Sequence, residues 1–129
     1  MLLRLFLAAS ALVWLPYGLL CFFAPGFLAE VAGVASTSTT GTIELRAMYG
    51  GLQAALGVLA GAAFFQPSLQ RPALIALSFV CAGLFMARLL GALLGTEFSS
   101  YTAVGLLFEL LSSTFATRLL VRLPGRTAA

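Results

Sequence analysis

Residues 44–65 read "ELRAMYGGLQAALGVLAGAAFF", a polar beginning followed by an apolar continuation. The segment from 43 to 65 is long enough for a membrane-spanning helix, which needs about 20 mostly apolar residues. The polar side chains near its start, Arg46, Tyr49 and Gln53, are unusual there, because polar groups in hydrocarbon are costly and normally face protein or a cavity. The segment therefore predicts a transmembrane helix with a polar stripe at one end.

The composition indicates a membrane protein. The 129 residues are 61% hydrophobic and only 9% charged, too few charges for the surface of a soluble domain. The net charge of +3 arises from Arg and Glu alone, and the chain has no His. Most transition-metal sites and His-based catalysis therefore lose their usual residue, so we expect no metal and no cofactor. The small basic excess gives no reason to expect a nucleic-acid partner.

Four apolar stretches predict four spans, at about 2–23, 43–65, 73–94 and 101–121, with turn-forming residues between them. The first span is longer than the apolar part of a signal peptide, which favours a retained helix. The sequence "PGFLAEVAGV" at 25–34 predicts a short interfacial helix, since Phe27, Leu28 and Val31 share a face. We predict an all-α fold, a four-transmembrane-helix bundle forming a single integral membrane domain over residues 1–129.

The arginines predict the orientation. If the spans alternate in direction, one side receives Arg4, Arg71, Arg118, Arg122 and Arg126. The loops of the other side carry Glu30 and Glu97 and contain no Lys or Arg. The excess of positive charge on cytoplasmic segments then predicts that both termini are cytoplasmic, as expected for a bacterial inner-membrane protein.

Small residues predict where helices approach one another. They recur four residues apart in the second span, at Ala47 and Gly51 and again at Gly57 and Gly61, and in the third span, at Gly83, Ala87, Gly91 and Gly95. Such stripes allow backbones to pack closely, inside one bundle or, alternatively, in a dimer. The two cysteines, Cys21 and Cys81, lie in apolar runs without a CxxC pair and are predicted to be buried free thiols.

Four charges fall within the spans or at their edges, at Glu44, Arg46, Arg88 and Glu109. Counted from the outer ends of their spans, Arg88 lies about 10 Å deep and Glu109 about 12 Å deep. Their helices are joined by a short loop, so the two side chains are predicted to pair. Arg46 lies near the outer edge, and its side chain can extend outward or reach toward Glu109. Glu44 is expected to cap its helix or to lie at the outer rim.

The polar stripe predicts a ligand site. In an α-helix Arg46, Tyr49 and Gln53, spaced i, i+3 and i+7, share one face. We predict an outward-facing pocket lined by Arg46, Tyr49, Gln53, Arg88 and Glu109. Two alternatives remain: a satisfied Arg–Glu network that only stabilises the bundle, and an interface with a membrane partner.

The stretches "TIELRAMYGGLQAALG" at 42–57, "MARLLGALLG" at 86–95 and "LLFELL" at 106–111 carry a family resemblance. Together they resemble a family of small bacterial four-helix membrane proteins known only as a domain of unknown function. The most specific part is E-L-R-A-x-Y-G-G, which begins at Glu44. The resemblance extends over nearly the whole chain and implies a four-helix integral membrane protein. It implies no activity.

Several functions fit these features. The first is binding of a lipid or small apolar or amphipathic ligand in the polar pocket. The alternatives are a structural or accessory subunit of a membrane complex, a homo-oligomer, and an integral membrane enzyme with Glu109 as acid or base. A transporter is disfavoured, since no inverted repeat is visible. Whether the protein is an enzyme stays open at this point.

Overall fold

The computed structural model describes residues 1–123, which are almost entirely helical and contain no β-strand. The helices are α1 (Leu2–Phe23), α2 (Phe27–Ala32), α3 (Thr39–Leu45), α4 (Leu52–Phe65), α5 (Gln70–Leu94) and α6 (Ser100–Arg122). A π-helical turn, Arg46–Gly51, joins α3 to α4, and a 3-10 turn, Pro67–Leu69, precedes α5. The predicted all-α class is confirmed. Of the arginines used to predict orientation, Arg126 lies outside the described residues.

Four helical segments of the described chain are long and apolar enough to cross a membrane: Leu2–Phe23, Thr39–Phe65, Pro67–Leu94 and Ser100–Arg122. The second begins earlier than predicted because Ser38 caps it, its Oγ accepting a hydrogen bond from the Gly41 N–H at 3.0 Å. The third also begins earlier, because Pro72 lies in the first turn of α5, where proline is tolerated. Four helices long and apolar enough for the predicted spans are thus present, and that they cross a membrane stays a prediction.

The described chain forms two compact units, and the first comprises Met1–Leu69. In this unit α1 packs along α4 and the π-helical turn. A Cβ atom at Gly18 would collide with the backbone nitrogen of Ala54 and lie 2.8 Å from the Gly50 carbonyl oxygen. A Cβ atom at Gly57 would lie 2.6 Å from the Leu15 Cβ. Glycine at these positions therefore lets the two helix backbones approach closely.

A short helix follows α1, as the sequence predicted. In α2 the Leu28 side chain is fully buried, and the rings of Phe27 and Tyr17 meet edge to face at 6.5 Å. The helix ends at Gly33, whose φ of 67° is left-handed, and the Val34 N–H donates to the Leu28 carbonyl. That α2 lies in a membrane interface stays a prediction.

The second unit begins at Gln70, and in it α5 packs along α6. The buried residues of each helix recur three or four positions apart, as expected for one packed face. They are Ala73, Leu74, Leu77, Ser78 and Cys81 in α5, and Glu109, Ser112, Ala116 and Leu119 in α6. The hydroxyls of Ser78 and Thr117 lie 3.1 Å apart and form a hydrogen bond between the helices. That the two units make a single domain stays a prediction.

The prediction for the cysteines is confirmed, whereas the glycines of α5 do not lie where α5 meets α6. Cys21 and Cys81 are free and buried, as predicted. A Cβ atom at Gly83 or Gly91, however, would meet no other atom within 4 Å, so the glycine stripe of α5 does not form the contact with α6. The spacing of small residues shows that a face can accept a close neighbour, and it does not show which neighbour packs there.

Candidate functional site

The polar stripe of the second span begins in the π-helical turn, a feature that the sequence analysis missed. In a π-helical turn each backbone N–H bonds the carbonyl five residues earlier instead of four, and here the Leu52 N–H donates to the carbonyl of Ala47. The adjacent pair Gly50 and Gly51 lacks side chains that would resist this change of winding. Short π-helical segments inside α-helices occur frequently at functional sites.

The π-helical turn changes which side chains share a face. A wider turn advances each residue by a smaller angle around the helix axis, so the α-helical spacing that aligned Arg46 with Gln53 does not hold here. Tyr49 and Gln53 remain about one turn apart, because only part of the segment between them is π-helical. The α-helical argument for a three-residue stripe therefore does not apply to this segment, and that the three side chains line one site stays a prediction.

Arg46 caps the end of α1. Its Nε donates a hydrogen bond to the carbonyl oxygen of Phe22 at 3.1 Å. This carbonyl lies in the last turn of α1, where backbone carbonyls lack partners within the helix, and the last turn contains no basic residue of its own. Gly50 allows the approach, since a Cβ atom there would lie 2.8 Å from the Phe22 Cβ. The two directions that the sequence analysis considered for Arg46, outward or toward Glu109, stay predictions.

Tyr49 and Gln53 are half-buried on the same span. Within the described part of the chain, neither side chain forms a hydrogen bond. A phenol hydroxyl and a carboxamide can together donate and accept several hydrogen bonds. Leaving such groups unpaired is unfavourable wherever the surrounding is apolar.

Arg88 and Glu109 form the predicted ion pair between α5 and α6. The Arg88 Nη2 lies 2.7 Å from Glu109 Oε1, and the Nε donates to Oε1 at 3.1 Å and to Oε2 at 3.0 Å. The Glu109 side chain is 4% exposed and that of Arg88 is 28% exposed. The fork-shaped guanidinium thus engages both carboxylate oxygens, the strongest arrangement for such a pair.

Two further residues of α6, Tyr101 and Gly105, lie next to the Arg88 guanidinium. The Tyr101 ring lies with its centroid 5.7 Å from Arg88 Cζ, within the range of a cation–π contact. Gly105 leaves room for the side chain, since a Cβ atom there would lie 2.8 Å from Arg88 Nε. Ser99 caps α6 by accepting a hydrogen bond from the Thr102 N–H.

We expect Gly105→Ala to weaken the ion pair. The new methyl group would push the guanidinium away from Glu109 and cost about 1.5 kcal/mol, the value of one charge-assisted hydrogen bond. Gly83→Ala is the matched control, because a Cβ there meets no other atom. Thermal melting in detergent measures both variants. The same loss for Gly105→Ala in an Arg88→Met background would show that the effect does not act through Arg88.

The five predicted site residues fall into two groups. Arg46, Tyr49 and Gln53 belong to the unit Met1–Leu69, whereas Arg88 and Glu109 belong to the unit that begins at Gln70. Only the prediction that Arg88 and Glu109 pair is confirmed. That all five line one pocket stays a prediction.

These positions carry hydrogen-bonding and charged side chains. Glu109 is committed to Arg88 through both oxygens, which leaves little freedom for a proton-transfer role. Among the described residues no group of His, Cys, Asp or Glu side chains is placed to hold a metal ion. The capping role considered for Glu44 belongs to Ser38, and Glu44 lies exposed in α3.

Comparison with known families agrees with this architecture. The family model of a domain of unknown function, DUF4345, matches residues 2–120. The chain belongs to the DUF4345 family. The match extends into all four long helices and includes both groups of polar residues, and it assigns no activity. Comparison with curated proteins and with solved structures gave no match.

Three features of this DUF4345 chain escaped the sequence analysis: the π-helical turn, the bond from Arg46 to Phe22, and the space that Gly105 leaves for Arg88. The adjacent Gly50 and Gly51 beside an arginine were a visible signal for irregular helix geometry. The other two depend on which helices are neighbours, and the spacing of residues along one helix carries no information about that.

Proposed function

We propose that the protein binds a lipid or another small amphipathic ligand at the polar surface formed by Tyr49 and Gln53. One observation carries the proposal: both side chains are half-buried in a membrane-compatible span without a hydrogen-bond partner among the described residues. In hydrocarbon there is no water to satisfy them, so a polar ligand group or another protein must do so. A headgroup would meet the two side chains, and its acyl chain would lie along the apolar surface of the span.

The fuller site with Arg88 and Glu109 has less support than this smaller one. The two charges neutralise each other, and their hydrogen bonds are used between α5 and α6. Their pairing favours a stabilising role in the helix pair over ligand binding. The same pairing weakens the alternative of an enzyme that uses Glu109 as acid or base. If the protein is instead an accessory subunit of a membrane complex, a helix of the partner protein would supply the hydrogen bonds to Tyr49 and Gln53.

The proposed location is the bacterial inner membrane, with both termini cytoplasmic and the site on the outer side. Cysteine labelling tests it in a background with Cys21→Ala and Cys81→Ala. Thr37 and Thr96 are suitable outer positions, because both are exposed and neither caps a helix. We expect Thr37→Cys and Thr96→Cys to react with an impermeant thiol reagent in intact cells, and Ser68→Cys to react only after permeabilisation. Reaction of Ser68→Cys alone would reverse the orientation.

The binding proposal predicts the behaviour of two conservative variants. Tyr49→Phe and Gln53→Leu each remove hydrogen-bonding groups at nearly constant size, and each is expected to reduce ligand retention about tenfold. Native mass spectrometry of protein purified from its own membranes measures the retained lipid or metabolite. Melting temperatures should stay within a few degrees of the parent, because neither group has a partner within the described chain.

Matched controls separate a site from a general effect. Tyr101→Phe keeps the ring that faces Arg88, and Gln66→Leu changes an exposed glutamine just after α4. Both should retain the ligand as the parent does. If nothing co-purifies with the parent protein, and Tyr49→Phe and Gln53→Leu leave stability and cellular phenotype unchanged, the proposal is wrong.

A further inference from the structure

Among the described residues, the guanidinium of Arg46 meets a neutral group and no carboxylate. Its Nε donates to the Phe22 carbonyl, and no carboxylate of the described residues lies within ion-pair distance of it. Arg88, by contrast, has its charge neutralised by Glu109. A guanidinium carries five N–H donors in a planar fork, so the bond to Phe22 leaves the Nη groups of Arg46 available. Arg46 is also exposed, which keeps these groups accessible.

The position of Arg46 along the span suits the headgroup region of a bilayer. The helical path from Arg46 to Phe65 measures at most about 29 Å, since the π-helical turn rises less per residue than an α-helix, and this is close to the hydrocarbon thickness of about 30 Å. If the Phe65 end lies at one boundary of the hydrocarbon, Arg46 lies at the other, where phosphate groups are found. Tyr49 and Gln53 then lie progressively deeper, so a ligand lying along the span would place its charged end near Arg46.

We infer that the ligand carries an anionic group, a phosphate or a carboxylate without a neighbouring cation, and that Arg46 binds it through its Nη groups. This inference rests on the function proposed above and adds the ligand's charge. A planar guanidinium matches two oxygens of such a group, and hydrogen bonds between two charged groups are about twice as strong as neutral ones. The Phe22 carbonyl orients the guanidinium by holding Nε, which leaves the Nη edge directed toward the anion.

The test compares three lipids with the same acyl chains on the purified full-length protein. Phosphatidylglycerol is anionic, phosphatidylcholine is zwitterionic, and diacylglycerol carries only a hydroxyl. We expect native mass spectrometry to show at least about tenfold tighter retention of phosphatidylglycerol than of the other two, the value of one charge-assisted contact. Inorganic phosphate added in excess shows whether the site binds a free anion or requires the anion to be part of a lipid. Displacement of phosphatidylglycerol indicates a site that also accepts a soluble anion, and its absence indicates a site that needs the acyl chains.

Variants assign the preference to Arg46. Arg46→Gln keeps an N–H donor and loses the charge, so retention of phosphatidylglycerol should fall to that of phosphatidylcholine. Arg46→Lys keeps the charge without the planar fork and should retain part of the preference. Arg4→Met is the matched control, because it removes an exposed arginine near the opposite end of α1. A melting curve for each variant shows whether loss of the hydrogen bond to the Phe22 carbonyl has unfolded it. If Arg46→Gln is unfolded, the lipid preference of Arg46→Lys is compared with that of the parent instead.

The outcomes separate this inference from the proposed function. Equal retention of all three lipids by the parent, with loss in Tyr49→Phe and Gln53→Leu, would overturn the anionic preference and leave lipid binding standing. An undiminished preference in folded Arg46→Gln, or in Arg46→Lys where Arg46→Gln does not fold, would overturn the assignment to Arg46, and so would a loss confined to Arg4→Met. Retention of none of the three lipids, with no ligand from native membranes, would overturn both.

Discussion

Arg88→Met, with Glu109 left in place, is expected to destabilise the protein by about 3–5 kcal/mol, the usual cost of leaving a buried charge without its partner. The Glu109 side chain is 4% exposed and takes all its observed ion-pair contacts from Arg88. Glu109→Gln should cost less than Arg88→Met, because the Arg88 side chain is 28% exposed and its guanidinium can turn toward a more polar surrounding.

The double variant Arg88→Met with Glu109→Gln should recover most of the loss, since no charge is then left buried. Reversible unfolding in mixed micelles gives the four free energies of unfolding, and their double-mutant cycle gives the coupling between the two residues. A coupling near zero, with additive losses, would mean that the pair does not contribute to stability. Gly105→Ala should lose its effect in the double variant as well, because the guanidinium that it displaces is absent.

The second large effect is expected where α1 and α4 approach one another. Gly18→Ala and Gly57→Ala should each destabilise the unit Met1–Leu69 by about 1–3 kcal/mol or more. At both positions the added methyl group would meet backbone atoms of the neighbouring helix, namely the nitrogen of Ala54 and that of Leu15. Backbone atoms cannot turn away as a side chain can, so the helices must separate and lose packing along their length.

Gly61→Ala provides the matched control one turn further along α4. A Cβ atom at Gly61 would lie 3.7 Å from the Ala11 Cβ, an ordinary packing distance. We expect Gly61→Ala to melt within a few degrees of the parent and Gly57→Ala to melt well below it, in the same detergent. Equal behaviour of the two variants would show that α1 and α4 do not pack at Gly57.

The all-α class and the four helices long and apolar enough to cross a membrane could be predicted from residue order alone, because length and hydropathy of a continuous segment decide whether it can cross a bilayer. The pairing of Arg88 with Glu109 was also predictable. Both charges lie at similar depth in consecutive helices joined by a short loop, and a buried charge needs a partner. The polarity of Tyr49 and Gln53 could be recognised for the same reason, since either residue is costly in hydrocarbon.

The contacts of Arg46 and the glycines could not be predicted in this way, because they depend on which backbone lies opposite. Gly57 and Gly83 look alike in the sequence, yet the first packs against Leu15 and the second meets nothing within 4 Å. Arg46 has a charge that suggests a carboxylate partner, yet its Nε bonds the Phe22 carbonyl, which only the packing of α1 brings near. The π-helical turn belongs with these features. It changes the spacing at which side chains share a face between Arg46 and Gly51, and a wider turn of this kind persists where packing between helices compensates for its poorer winding.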